Sequence, residues 1–325
     1  MDQEEFEKKL INHIVDCVER YGGRECLSSI ILTGSLGRGE ATYETDEDGE
    51  ICLRSDVEMA LVFSGLMQKK KVEAIIHKVS QEFKEDLNLM AVEENRVKKA
   101  GNFNFSLITP RYKTLFTYDL FNGSRTIWGK DFIRGKSIPL KAIDPYEAKR
   151  LVANRIGEFV YLQSTEKPDK IEYRRMQWKG KLVLAIAGAW LILEGKYTSS
   201  YYGQYEKVKA DREKAENVIG KDFVSEYERT VAFLRGNSDA YEIPDKLLLE
   251  YLGNIDLYFQ KKRIKKPKTN SVSRHMKYII KYIKSGMLYG CRGFEDEILQ
   301  SLISDFLQGS DRLYRDAQIW HRVLY

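Results

Sequence analysis

Residues 30–63, IILTGSLGRGEATYETDEDGEICLRSDVEMALVF, constrain the fold of this chain more than any other stretch. An apolar run breaks at Gly34-Ser35, and Gly37 and Gly39 follow on either side of Arg38. After an acidic loop, Asp56-Val57-Glu58-Met59 leads into a second apolar run over residues 60–63. In a β-strand, side chains at i and i+2 share one face. Asp56 and Glu58 therefore stand side by side while Val57 and Met59 face the other way. Such a chain must build a sheet in which one strand ends in glycines and another opens with two carboxylates.

Two carboxylates a few ångströms apart repel and raise each other's pKa unless a cation lies between them. The economical cation is Mg²⁺, with Mn²⁺ as an alternative, because a hard ion takes carboxylate oxygens together with substrate phosphates. The glycines allow backbone to approach a ligand closely. Backbone N–H groups at a turn that opens a helix form an anion site. Ser35 adds a hydroxyl, and Arg38 is placed to contact a phosphate oxygen. The reading is a nucleotide–Mg²⁺ site: Gly34, Ser35 and Arg38 on the phosphates, Asp56 and Glu58 on the metal.

Other phosphate signatures fit badly. There is no G-x-x-x-x-G-K-[ST], so a P-loop is excluded. GSLGRG has a G-x-x-G-x-G rhythm rather than the dinucleotide fingerprint G-x-G-x-x-G. The segment GRGEATYETDEDGE is acidic but lacks the calcium-loop spacing, and it reads as a mobile loop and candidate lid beside the site.

Periodicity divides the 325-residue chain into two parts. Residues 3–20 have helical spacing, residues 30–33 and 57–63 read as strands, 69–83 as an amphipathic helix, and 87–92 and 102–108 as strands. Residues 112–121 are helical and 126–129 form a short strand. From Asp144-Pro145, a helix start, helical patterns recur over 173–194, 204–218, 221–234, 245–259, 272–284, 294–307 and 311–324. The expectation is an α/β domain over residues 1–140 followed by an all-helical domain over 141–325.

TGSLGRGE followed by SDVEMALV resembles the nucleotidyltransferase superfamily with the DNA polymerase beta-like fold. Its pattern is an apolar strand, Gly-Ser, a variable loop, then Asp-apolar-Asp/Glu-apolar. The resemblance implies an α+β domain with a mixed sheet, a triphosphate held at Gly34-Ser35, and divalent metal held by Asp56 and Glu58. It implies transfer of a nucleoside monophosphate from an NTP to an acceptor, with release of pyrophosphate. The insertion after GRGE, the segments FTYDLFNGSRTIWGKD and NRIGEFVYLQ, and the helical second half are similar to bacterial enzymes that modify antibiotics or glycans. The family carries a third carboxylate on a later strand. Here the matching strand is NFNFSLITP, whose Asn104 stands at that position, and an amide cannot serve as a base. Glu93 or Glu94 on the preceding strand is the substitute within reach of the pattern. The alternatives are a catalytically degenerate nucleotide sensor and a toxin- or antitoxin-like transferase acting on RNA or protein.

The remaining features are weaker. Lys179 and Lys181 are placed to reach a triphosphate, and the tyrosines of residues 197–205 either stack on a base or pack at a helix corner. The basic run over residues 261–268 reads as a solvated helix end, with nucleic-acid binding as its alternative. A net charge of +5 permits a polyanionic partner without demanding one. His13, His77, His275 and His321 are scattered, and Cys17, Cys26, Cys52 and Cys291 contain no C-x-x-C. No zinc or disulfide framework is expected, and the thiols fit a reduced compartment. The acidic N-terminus does not resemble a signal peptide. The longest apolar run, residues 182–193, falls short of the roughly 20 residues a membrane span needs. A cytoplasmic protein with no membrane partner is the expectation.

Overall fold

The computed structural model describes residues 2–45, 49–65, 68–83, 87–101, 113–163, 171–236, 241–264, 303 and 306. It is a mixed α/β protein with small sheets and mostly helical content. The strand expected over residues 102–108, Asn104 included, lies outside the described residues, as do the helices expected over 272–284 and 311–324.

The chain divides into two compact units. The first comprises Met1–Ile143 with two short later segments, Thr198–Gly203 and Arg235–Ser238; the second comprises Asp144–Tyr197, Gln204–Leu234 and Asp239–Tyr325.

In the first unit, α1 (Gln3–Arg20) starts at Asp2, whose Oδ1 accepts from Glu5 N at 2.8 Å. A short turn, α2 (Gly23–Cys26), leads to β1 (Leu27–Leu32), and the five-residue α3 (Gly34–Arg38) follows directly. Next come β2 (Tyr43–Thr45), β3 (Ile51–Leu53), β4 (Val57–Phe63), α4 (Lys69–Glu82), β5 (Leu87–Glu93), α5 (Glu94–Gly101), α6 (Leu115–Asn122) and β6 (Arg125–Gly129). The main sheet has the order β5-β4-β1-β6, with β1 antiparallel to β4 and β6 and β4 parallel to β5. One face of it carries Ile30, Leu32, Val57, Met59, Leu61 and Leu89. These pack on Ile14, Cys17 and Val18 of α1 and Val72, Ile75 and Val79 of α4. On the opposite face Ile31, Ala60 and Val62 are also fully buried. Burial on both faces explains why β1 and β4 read as continuous apolar runs rather than alternating ones.

The acidic insertion departs from the expected mobile loop. Its flanks form a hairpin, β2 with β3, pairing Tyr43 with Leu53 and Thr45 with Ile51. Tyr43 ties the hairpin to α1: its hydroxyl donates to Glu7 at 2.8 Å and its ring meets Phe6 edge-on at 6.1 Å. These contacts anchor the base of the hairpin to α1.

The second unit is helical among its described residues, with α7 (Tyr146–Gln163), α8 (Ile171–Leu193), α9 (Tyr201–Ala210, whose first turn belongs to the first unit), α10 (Arg212–Ile219), α11 (Phe223–Leu234) and α12 (Asp245–Lys261). The single helix expected over 204–218 is two helices, because the chain turns at Asp211. Trp190, Phe223, Tyr227, Tyr251 and Phe259 are fully buried and fill this interior. Among the described residues one helical stretch, Arg175–Leu193, is long and apolar enough to cross a membrane by length and composition. It is longer than the apolar run expected from the sequence, and 72% of it is buried within the protein. It is the core helix of this unit.

Candidate functional site

β1 ends at Leu32, and Thr33 N donates to Glu58 O at 2.9 Å, so the strand's last ladder bond is made to the residue that carries the second carboxylate. The chain then turns into α3 at Gly34, whose φ of +65° lies in the left-handed region. A Cβ on Gly34 would also lie 2.9 Å from the Glu58 carboxyl carbon, so a side chain there would push the Glu58 carboxylate aside. The backbone favours glycine, and the Glu58 carboxylate, the end of a flexible side chain, lies against the turn. Gly37 is equally constrained, since a Cβ there would come 2.6 Å from Leu32 O. Beside the turn, the Thr33 hydroxyl is buried and has no hydrogen-bond partner among the described residues.

β4 presents Glu58 by alternation, and Asp56 immediately precedes the strand. Val57 and Met59 are fully buried, while Asp56 and Glu58 are half-buried. The segment ahead of Asp56 is pinned to the end of the α3 loop, with Thr42 N donating to Ser55 Oγ at 2.9 Å and Arg54 N to Thr42 O at 2.9 Å. Gly34 and Glu58 are thus brought into contact, with Ser35 next in the turn and Asp56 two residues ahead of Glu58 on its strand. On β5 the residue paired with Glu58 is Asn88, which is exposed.

The same register removes the substitute acids. Glu93 pairs with Phe63, five residues further along β4 than Glu58, or roughly 17 Å at about 3.3 Å per residue. Glu94 is at that far end too. It accepts from Ser28 Oγ at 2.6 Å and pairs with Lys98, and these donors, Lys98 first, hold its carboxyl below the usual range. Neither stands near Asp56 and Glu58, because a strand parallel to β4 carries its final residues away from β4's first. Asn104 lies outside the described residues.

Arg38 is built into the interior. Its Nε donates to Glu40 at 2.9 Å, its guanidinium lies 4.7 Å over the Tyr201 ring, and the side chain is 10% exposed. Burial opposes the charge, but Tyr201, Glu40 and Asp119 outweigh it and raise the guanidinium's pKa above its ordinary value. Glu40, which sequence reasoning passed over, is the centre of this cluster. Besides Arg38 it accepts from Ser200 Oγ at 2.6 Å, Tyr201 N at 3.1 Å and Tyr202 N at 3.2 Å. Ser200 in turn accepts from Gly203 N at 2.9 Å. A serine cap and a carboxylate at the first turn of α9 are a favourable pair. Burial alone would raise the Glu40 carboxyl; the four donors outweigh it and hold it below the usual range. The local signal was Ser200 three residues before Gly203, which reads as a cap, but nothing in the sequence points from it to Glu40.

The other candidates are engaged elsewhere. Lys179 is 2% exposed, with its ammonium paired to Glu242, to Asp245 at 2.7 Å and to the Ile243 carbonyl at 3.4 Å. This interior role in the second unit replaces the expected reach to a triphosphate. Lys181 lies 4.4 Å over the Trp178 ring. Tyr205 stacks on Tyr227, so of the two readings of the tyrosine-rich segment this residue follows the packing one.

The donors gathered at the strand ends are all oxygens, two carboxylates and a serine hydroxyl beside a glycine turn, the chemistry a hard divalent cation takes. A scan of the chain against protein-family models finds no match, and no curated protein matches its sequence.

Proposed function

We propose that the Gly34–Ser35 turn with Asp56 and Glu58 is the nucleotide site of a Mg²⁺-dependent nucleotidyltransferase with a polymerase beta-like fold, residing in the cytoplasm. The observation that carries this reading is the seating of the Glu58 carboxylate against Gly34, at a left-handed backbone position that favours glycine. Three features support it: the antiparallel pairing of β1 with β4, which sets the glycine turn beside the first residues of the acidic strand; the oxygen-only donor set; and the unpartnered Thr33 hydroxyl beside the turn. Cys17, Cys26 and Cys52 are free thiols, which fits a reducing compartment.

In this reading Asp56 and Glu58 hold the cation, and Mn²⁺ can replace Mg²⁺. Bound there, it neutralises phosphate charge and polarises the reacting phosphoryl group. Ser35 and the turn's backbone N–H groups hold the phosphates. Arg38, committed to Glu40 and Tyr201, braces the turn from behind. An acceptor hydroxyl or phosphate oxygen bonds to the α-phosphorus, the bond from α-phosphorus to the bridging oxygen breaks, and pyrophosphate leaves with that electron pair. The acceptor's proton passes to solvent. The rate gain comes from positioning and charge stabilisation.

A second reading, nucleotide binding without turnover, is favoured by the amide at Asn104 and by the register that carries Glu93 to the far end of the sheet. The test is pyrophosphate release and nucleotide binding with each NTP and Mg²⁺, with a cell lysate as acceptor source, for wild type and Asp56→Asn. Release that is lost in the variant supports the transferase. Mg²⁺-dependent binding without release in any condition supports the second reading, and absence of both overturns the site.

A further inference from the structure

A second cluster of metal-binding side chains lies on the other face of the main sheet, on α1 and α4. His13 and Cys17 are one turn apart on α1, and the i,i+4 spacing puts them on one face of the helix. The histidines are scattered and the cysteines form no C-x-x-C, but His13–Cys17 is an H-x-x-x-C pair. Glu82, the last residue of α4, completes the group: one ligand atom from each of the three side chains lies within 4.8 Å of the others.

The surroundings hold this trio together. Cys17 Sγ donates to Glu82 Oε2 at 3.2 Å. Arg20 donates to the same carboxylate oxygen at 3.4 Å and to Cys17 Sγ at 3.1 Å, and the Tyr21 hydroxyl donates to Glu82 Oε1. The His13 ring is set edge-on against Phe83 at 4.9 Å. Cys17 is fully buried, while His13 and Glu82 are exposed, so the cluster has a dry floor and an open solvent side.

We propose that His13, Cys17 and Glu82 form a binding site for a borderline-soft divalent transition metal of the zinc class, with water in the fourth position. Imidazole, thiolate and carboxylate together are zinc-class ligands, and a three-ligand tetrahedral site leaves one place open. The donor set differs in kind from the oxygen ligands at Asp56 and Glu58, so the two sites select different ions. Burial and the Glu82 carboxylate push the Cys17 thiol up to about 11, which keeps its proton in place without a metal. Metal binding replaces the S–H bond by a sulfur–metal bond and releases that proton to solvent. Arg20 and Tyr21 then act as outer partners that orient Glu82.

The test is titration of the full chain, stripped of metal by chelation and kept reduced, with Co²⁺ in the absence of nucleotide. The expected result is one equivalent bound, with the thiolate-to-cobalt charge-transfer band of a tetrahedral site, reversed by Zn²⁺. Cys17→Ser removes the band, and Cys26→Ser, Cys52→Ser and Cys291→Ser retain it. His13→Gln, at an exposed position that leaves folding intact, weakens binding by about tenfold or more. No band in the wild-type chain, a band that survives Cys17→Ser, or unchanged affinity in His13→Gln overturns the proposal.

Discussion

A carboxylate lies against β1 at each end of the main sheet, and the two have different surroundings. At the far end Glu94 is held by a hydroxyl and an ammonium, Ser28 and Lys98. That is a structural tie, and its lowered pKa is the sign of a charge satisfied within the fold. At the near end Glu58 is laid against Gly34, which has no side chain and a left-handed backbone. A bare, left-handed turn beside it is what a ligand's phosphates require. The difference teaches that the acid's backbone surroundings, more than the acid itself, separate a candidate site from a strut.

The comparison can be broken most severely at the near-end acids. Asp56→Asn and Glu58→Gln are each expected to lower pyrophosphate release by about a hundredfold or more, with thermal stability changed by less than about 1 kcal/mol. Parallel turnover and melting measurements check this, and a variant that loses stability and activity in step would make Glu58 a strut like Glu94. Gly34→Ala comes next. Strain at positive φ and the approach to the Glu58 carboxylate should together destabilise the fold by about 1–3 kcal/mol, and nucleotide affinity should fall further than that loss explains.

Glu40 tests the support behind the turn. Its pKa is lowered in the folded state, so the stability it contributes is fully present above the ordinary carboxylate pKa of about 4.3 and is lost as pH falls through the lowered folded value. Glu40→Gln should cost about 1–2 kcal/mol at neutral pH and flatten the acid limb of a stability–pH profile. The smallest effect is expected at the far end. Glu94→Gln should cost about 1 kcal/mol and leave nucleotide binding unchanged, since Ser28 and Lys98 sit where no ligand is proposed.

What was legible in the sequence was local. Gly34 and Ser35 followed an apolar run, Asp56 and Glu58 opened another, and those two runs are β1 and β4. The mixed α/β character also followed from periodicity. What was not legible depends on pairs far apart in sequence. Nothing in GRGE foretells that Glu40 accepts from residues 200–202, and nothing near His13 points to Glu82. The parallel register of β5 had the same character: Glu93 looked available because it followed a strand, and only the pairing of Leu87 with Val57 shows which end of the sheet it reaches. A sequence displays a cation such as Arg38 or Lys179 without its carboxylate. Glu40 and Glu242 are those carboxylates.

The most direct test of the central claim is a Mn²⁺ titration followed by electron paramagnetic resonance, with and without ATP, on the wild-type chain, Asp56→Asn, Glu58→Gln and Glu94→Gln. The account predicts ATP-dependent Mn²⁺ binding in wild type and Glu94→Gln that is lost in both near-end variants. Equal binding in all four proteins, or binding lost only in Glu94→Gln, would contradict it.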